Sequence, residues 1–243
     1  YGRKEGEFKS WGDKLEKPSD YNPLDFFQTG FNTMNSIAVS TGTETNQTHI
    51  SFGSVNSEGV IDNNKYNRYN FTFRNSWDIV KNVLSMDMGL FYIKQNNQNS
   101  NGQGMYYNPL VPIYLFPPSD DINKYAVYER YDADRNFKTQ YWPYGNQGLG
   151  MQNPYWIINR NMFNTDRDRY IISLSMKWNI TNWLNIIGRA RIDNAYTDFE
   201  RKLYASTDGL FAKSQGNYMN QEDKNTSTYL DFLVNVDKKF GEN

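Results

Sequence analysis

Tyr170, Ile172, Leu174, Met176 and Trp178 share one parity, while Ser173, Ser175 and Lys177 occupy the other. That period of two predicts a strand with one apolar and one polar face. The next run repeats it, with Leu184, Ile186, Gly188, Ala190 and Ile192 opposite Asn185, Arg189, Arg191 and Asp193. Only Asn179-Ile180-Thr181-Asn182 separates the two runs, so they form a tight hairpin. An earlier pair has the same layout. Tyr69, Phe71, Phe73 and Trp77 oppose Asn70, Thr72, Arg74, Ser76 and Asp78, a turn follows near Ile79 to Asn82, and Leu84, Met86, Met88, Leu90 and Tyr92 then oppose Ser85, Asp87 and Gly89. A third hairpin comes from Ile37, Val39 and Thr41, a turn at Thr43 to Asn46, and a return strand with Ile50 and Phe52. Leu230, Phe232, Val234 and Val236 make a last strand that runs into Asp237-Lys238-Lys239. The alternation predicts roughly seven strands.

Links inside the hairpins take a few residues, whereas those between hairpins are long, most obviously Lys94 to about Asp166 and Asn194 to about Asn225. Short turns on one side and long loops on the other are the layout of an outer-membrane barrel, with the long loops extracellular. Trp77, Trp178 and Trp183 all fall at short-turn ends, as an interfacial aromatic girdle requires. The polar parity carries Arg74, Asp87, Lys177, Arg189, Arg191 and Asp193, too many charges for a packed core and natural for a wet or plugged lumen. Asn75 interrupts the apolar parity. Bacterial single-chain barrels close with an even number of strands, about eight at least, so roughly seven strands imply one segment of a larger barrel.

Composition agrees with that class. Hydrophobic residues make up 38% of the 243, and 16% are aromatic, with 19 tyrosines and 6 tryptophans. Mean hydropathy is -0.83, too polar for a helical membrane protein yet compatible with short alternating strands. No apolar run is long enough for a spanning helix, and Tyr1 stands where an initiator methionine or apolar leader would be looked for, which again predicts a segment. The 26 basic and 27 acidic side chains balance to a net charge of -1, which points away from nucleic acid. With no cysteine and a single histidine, His49, thiolate chemistry, disulfides and nearly all zinc sites are excluded.

Ser10-Trp11-Gly12-Asp13-Lys14-Leu15, then Asn22-Pro23-Leu24-Asp25-Phe26-Phe27-Gln28-Thr29-Gly30, then Asn35-Ser36-Ile37-Ala38-Val39-Ser40, follow in order. Further on stand Ser51-Phe52-Gly53 to Gly59-Val60-Ile61, Tyr66-Asn67-Arg68-Tyr69-Asn70, Asn153-Pro154-Tyr155-Trp156, Arg167-Asp168-Arg169-Tyr170 and Trp183-Leu184-Asn185-Ile186. This series resembles the SusC/RagA family of TonB-dependent outer-membrane transporters of Bacteroidota over nearly the whole chain. The resemblance implies an all-β fold: an antiparallel transmembrane barrel of about 22 strands, of which this is the part soon after the plug. Residues 1–30 would be an extracellular loop, and 31–243 barrel wall with a long extracellular loop at about 95–166. The plug domain and TonB box would lie outside this chain. The resemblance further implies a SusD-like surface lipoprotein as lid, TonB as the energy coupler, outer-membrane lipid around the wall, and import of oligosaccharides or oligopeptides. No enzyme activity, metal or cofactor is expected.

The long loop is the place to look for substrate contacts. Aromatic faces stack on sugar rings, which makes Trp142, Tyr144, Tyr155 and Trp156 the candidates; the alternative is that these rings pack the loop on itself or against the lid. Asp132-Ala133-Asp134-Arg135-Asn136 starts like a calcium loop but has Phe137 at the sixth position and Pro143 at the twelfth, so it reads as a carboxylate-rich turn. Asp120-Asp121 reads as solvated loop. His49 has no nucleophile to serve and reads as a lumen-facing polar residue. Arg189, Arg191, Asp193 and Lys177 are expected to form charge pairs with each other or with a plug. Two other function classes remain open at this point: a surface-binding or adhesin barrel without transport, and a secreted carbohydrate-binding β-domain with an uncharged interior.

Overall fold

The structure is a computed structural model that describes residues 14–17, 20–100, 102, 104–145, 151–239 and 241. The motif residues Ser10 to Asp13, and with them most of the start of the expected 1–30 loop, lie outside the described residues.

Four strands come first: β1 (Phe31–Gly42), β2 (Asn46–Glu58), β3 (Lys65–Val80) and β4 (Leu84–Gln98). The long connection then holds α1 (Leu110–Leu115), a 3-10 turn (Ile122–Ala126), β5 (Glu129–Asp132), β6 (Phe137–Gln140) and α2 (Pro154–Arg160). Three long strands close the chain: β7 (Asn161–Thr181), β8 (Leu184–Leu203) and β9 (Asn217–Val236). Seven strands make one antiparallel sheet in the order β1-β2-β3-β4-β7-β8-β9, and β5 pairs only with β6. The chain is thus mostly antiparallel sheet, as the alternation predicts. No helix among the described residues is long and apolar enough to cross a membrane.

Register carries the apolar parity intact across all seven strands. Ile37 faces Phe52, Ile50 faces Phe73, Phe71 faces Tyr92, Leu90 faces Ile172, Leu174 faces Ala190, and Ala190 faces Leu230. A slip of one residue in any pair would turn that strand's apolar set onto the charged face. Local chemistry at the short turns helps hold the register. Thr43 Oγ1 accepts from the Asn46 amide at 3.1 Å, and Asn82 takes the left-handed conformation at φ 61° that the β3–β4 turn needs. Bulges at Asp78/Val80 and Asn179/Thr181 end two of the ladders beside Trp77 and Trp178.

Nothing described covers this apolar face: Ile37 is 66% exposed and Phe232 72%. On β7 it extends from Tyr170 to Trp178, about 27 Å along the strand. Asn75 breaks the apolar row, and its amide is satisfied within the sheet by Asn46 Oδ1 and Thr48 Oγ1, both 2.9 Å away.

Two expected link lengths need correction. The link between β8 and β9 is only 204–216, not Asn194 to about Asn225, and the one between β4 and β7 is 99–160. Beyond the apolar stretch β8 and β9 turn mostly polar, with only scattered apolar residues such as Ala195, Phe199 and Met219, so the period of two fades although the ladder continues. Polar pairs such as Asn194 with Thr226 (2.6 Å) and Glu200 with Tyr218 (3.2 Å) tie the strands there. The link between β2 and β3 is also short, 59–64, so long and short connections do not strictly alternate.

The buried core lies at one end of the sheet. Phe26, Ile61, Ile113, Phe116, Ile122, Tyr125, Tyr144 and Ile158 pack together there, drawn from the 3-10 turn Pro23–Phe26, the β2–β3 link, and the long connection with its two helices. We refer to this end structure as the cap.

Candidate functional site

The cap is built by short polar clasps. Asn22 starts the first 3-10 turn by accepting from the Leu24 amide at 3.0 Å, with Pro23 in the position where no amide is needed. Asn153, fully buried, does the same for α2 by accepting from the Tyr155 amide at 2.9 Å. Its Nδ2 also donates to the carbonyls of Tyr125 (2.8 Å) and Tyr141 (2.9 Å), tying α2 to two distant turns.

Asp120 is the centre of the second clasp. Its Oδ2 accepts from the hydroxyls of Tyr125 (2.5 Å) and Tyr144 (2.7 Å), and its Oδ1 from Lys124 Nζ and the Asp121 amide, both at 2.8 Å. The expectation of a solvated Asp120 is therefore wrong: the side chain is only 20% exposed. Burial alone would push its carboxyl up, and the donors around it more than offset that and hold it at about 2. The same burial, with the carboxylate beside them, pushes both tyrosine hydroxyls well above the ordinary tyrosine range. Asp120, Lys124 and Tyr125 were readable as neighbours at spacings of four and five on a single turn, but Tyr144 reaches them only through tertiary packing.

The four aromatic candidates separate here. Tyr144 (4% exposed) and Trp156 (1%) are buried and offer a ligand no surface in this arrangement. Trp156 points at the 204–216 link, where its Nε1 donates to Thr207 Oγ1 at 3.0 Å, and Thr207 donates to Asn161 Oδ1 at 2.8 Å. Trp142 and Tyr155 are half-buried at the rim of the core. Trp142 lies 5.1 Å from Tyr144 and 5.5 Å from Tyr125 between ring centroids, and Tyr155 meets Phe26 edge-on at 5.3 Å. Neighbours on α2, Tyr155 turns to Phe26 and Trp156 to Thr207, so the four do not make one platform.

Around this core, Glu129 joins β5 to β6 and α2, accepting from Lys138 at 2.9 Å and from Arg160 at 2.8 Å. Asp132 Oδ1 accepts from the amides of Asp134 (3.1 Å) and Arg135 (3.2 Å), which makes the acidic run the hairpin turn between β5 and β6. Among the described residues no three acidic or histidine side chains converge as metal ligands.

The polar face of the sheet forms a second candidate region, a hollow of about 700 Å³ lined by Arg74, Asp87, Gly89, Phe91, Arg189 and Arg191 among others. Arg189 forks onto Asp231 at 2.9 and 2.5 Å. Arg169 forks onto Asp193 at 2.8 and 2.6 Å, and Arg191 reaches the same carboxylate at 3.2 Å. Of the expected pairs only Arg191 with Asp193 forms; Arg189 takes Asp231 instead, and Arg169 is the main partner of Asp193. His49 lies on the same face, its Nδ1 2.8 Å from Ser40 Oγ.

No protein-family model and no curated protein matches the chain. Solved structures do. The RagAB peptide importer in its closed-closed state matches with a TM-score of 0.66 at 14% identity, over 93% of this chain and 24% of that one. Its open-open state matches at 0.65 and 16% identity, over 90% of this chain and 24% of that one. A further structure of the RagAB peptide transporter gives 0.66 and 16%, over 90% and 23%. The chain shares the fold of one segment of those chains and spans about a quarter of their length.

Proposed function

We propose that this chain is a wall segment, with its surface cap, of a TonB-dependent outer-membrane transporter that imports oligopeptides or oligosaccharides with a SusD-like surface lipoprotein. The observation that carries the reading is the apolar face, continuous in register over seven strands, uncovered, and backed by a face of paired charges. A soluble protein does not leave an apolar surface of this extent in water, and a packed core does not hold this many arginines. In the outer membrane the apolar face meets lipid and the charged face lines the lumen. The free edges of β1 and β9 then pair with strands outside these residues, since an open edge is not tolerated in lipid. A plug and TonB box belong to the same longer protein on this reading.

Between the two cargo classes, the likeness to peptide importers favours peptides. Within the cap, Trp142 and Tyr155 keep surface at the rim and are our choice for substrate contact, while Tyr144 packs against Trp142 and Trp156 anchors the 204–216 link. We assign the chain no catalytic role.

The test is fractionation of the full-length protein from its own cells, detergent co-purification, and uptake of labelled peptide and oligosaccharide pools with and without the inner-membrane proton gradient. A chain several times longer in the outer membrane, bound to a lipoprotein and importing one pool only when energised, supports the reading. Binding without uptake would leave a surface-binding barrel, and recovery from the soluble fraction would refute the membrane assignment outright.

A further inference from the structure

One row of side chains crosses the charged face of the sheet from β2 to β9. Cross-strand register aligns His49, Arg74, Gly89, Ser173, Arg191 and Tyr229 in that row. Arg74 and Arg191 are therefore separated by three strand spacings, about 14 Å between their Cα atoms. Only Gly89 and Ser173 lie between them, and the place a Cβ on Gly89 would take is filled by Ser173 Oγ at 2.7 Å and the edge of the Phe91 ring at 3.2 Å. Two long cationic side chains thus stand at either end of a floor of hydrogen atom and hydroxyl. Ser175 extends that floor in the next row, and the Phe91 ring leans over its Gly89 end, beneath the Arg74 guanidinium.

The charges around this floor are unevenly matched. Arg169 and Arg189 each have a carboxylate of their own, gripped through two nitrogens. Arg191 has only a third share in Asp193, through one nitrogen at 3.2 Å, and its side chain is 50% exposed. Arg74 makes no ion pair among the described residues, and its guanidinium lies over the Phe91 ring at 5.0 Å. Asp87, the nearest acid in the adjoining row, already accepts from Ser76 Oγ at 2.6 Å. Two under-matched guanidinium groups, at opposite ends of a hydroxyl floor in one 700 Å³ hollow, make a site for an anion that both forks can grip.

We propose that Arg74 and Arg191 form a carboxylate station on the lumen wall, which takes the C-terminal or side-chain carboxylate of an oligopeptide in transit. This rests on the transport reading above and adds to it the charge of the cargo. Planar guanidinium groups match a carboxylate fork to fork, and the hydroxyls of Ser173 and Ser175 can donate to its remaining lone pairs. Because both arginines are half-exposed and wet, the grip is weak enough to release the cargo as well as hold it.

The experiment uses the full-length transporter with its natural partner, in energised cells. It compares uptake of a glutamate-containing peptide with a free C-terminus and its neutral counterpart, glutamine for glutamate and C-terminally amidated. The variants are Arg74→Gln/Arg191→Gln and Arg74→Lys/Arg191→Lys, both checked for outer-membrane level. We expect the glutamine pair to lower uptake of the acidic peptide by about tenfold, the scale of one lost charge-assisted contact, while the neutral peptide changes by less than about twofold. The lysine pair restores most of the acidic uptake. Equal loss for both peptides, or loss for neither, overturns the station. So does a glutamine pair that leaks a bulky antibiotic at rest without changing selectivity, which would mean that the arginines seat a resident segment. If the unaltered transporter takes up neither peptide, the transport reading itself has failed for peptides.

Discussion

Removing the Asp120 carboxylate should loosen the cap while leaving the sheet intact. In Asp120→Ala the hydroxyls of Tyr125 and Tyr144, both in buried side chains, lose their acceptor. A buried donor without a partner costs about 1–3 kcal/mol. The two hydroxyls also interact with each other, which recovers part of that loss. Lys124 is 64% exposed and its ion pair adds little. The expected loss is about 2–4 kcal/mol. The carboxyl itself offers a check, because its fall from 3.8 to about 2 corresponds to roughly 2 kcal/mol before solvent screening lowers it. Since the folded carboxyl is held below its ordinary value, that stabilisation is fully present above the ordinary value of 3.8 and is lost as pH falls toward about 2. Asp120→Asn keeps an acceptor but no charge and should fall between. The assay is hydrogen exchange in residues 104–160 of the full-length protein in detergent, at neutral pH, with heat-modifiable gel migration as the control for the wall. Peptides around Tyr125 and Tyr144 should exchange about 30- to 800-fold faster in Asp120→Ala. Unchanged protection there would refute the assignment of Asp120 as the clasp.

Leu174→Arg, at the middle of the apolar stretch on β7, should destabilise the protein in lipid vesicles by about 2–4 kcal/mol, measured by urea unfolding; no loss would argue against a lipid-facing β7. Trp156→Ala should cost about 3–5 kcal/mol of cap stability through the cavity it leaves and the lost hydrogen bond to Thr207, read by proteolysis of the 204–216 link. Trp142→Ala and Tyr155→Ala should each weaken substrate binding by about tenfold if the rim makes contact, measured by calorimetry on the intact complex, and unchanged affinity in both would remove them as contacts.

The wall was legible because its chemistry repeats. Each apolar stretch from Ile37 to Val236 obeys one parity, and apart from Asn75 opposite Met88 the pairing register joins those stretches face to face. Strand ends were not legible, because Asn194–Asp198 and Asn217–Asn225 are mostly polar and pairing there depends on cross-strand partners that a single run does not show. In the cap, sequence singled out four aromatic residues without showing that packing would separate them. Trp142 and Trp156 look alike along the chain, yet one sits at the rim and the other under the 204–216 link. Asp120 escaped because its two tyrosine partners are respectively 5 and 24 positions away, and only the second requires the fold.

The cap core draws Phe26, Ile61, Ile113 and Ile158 from segments far apart along the chain. Each is delivered by a different part of the sheet: Phe26 ahead of β1, Ile61 between β2 and β3, Ile113 after β4 and Ile158 just before β7. Closing those loops costs chain entropy that the aromatic contacts repay only once the strands beneath are paired. The cap should therefore form after the wall, as a late and separately cooperative unit. On the transport reading proposed above, its sequence is then free to vary with cargo, because a change in it reaches the protein after the sheet has already assembled.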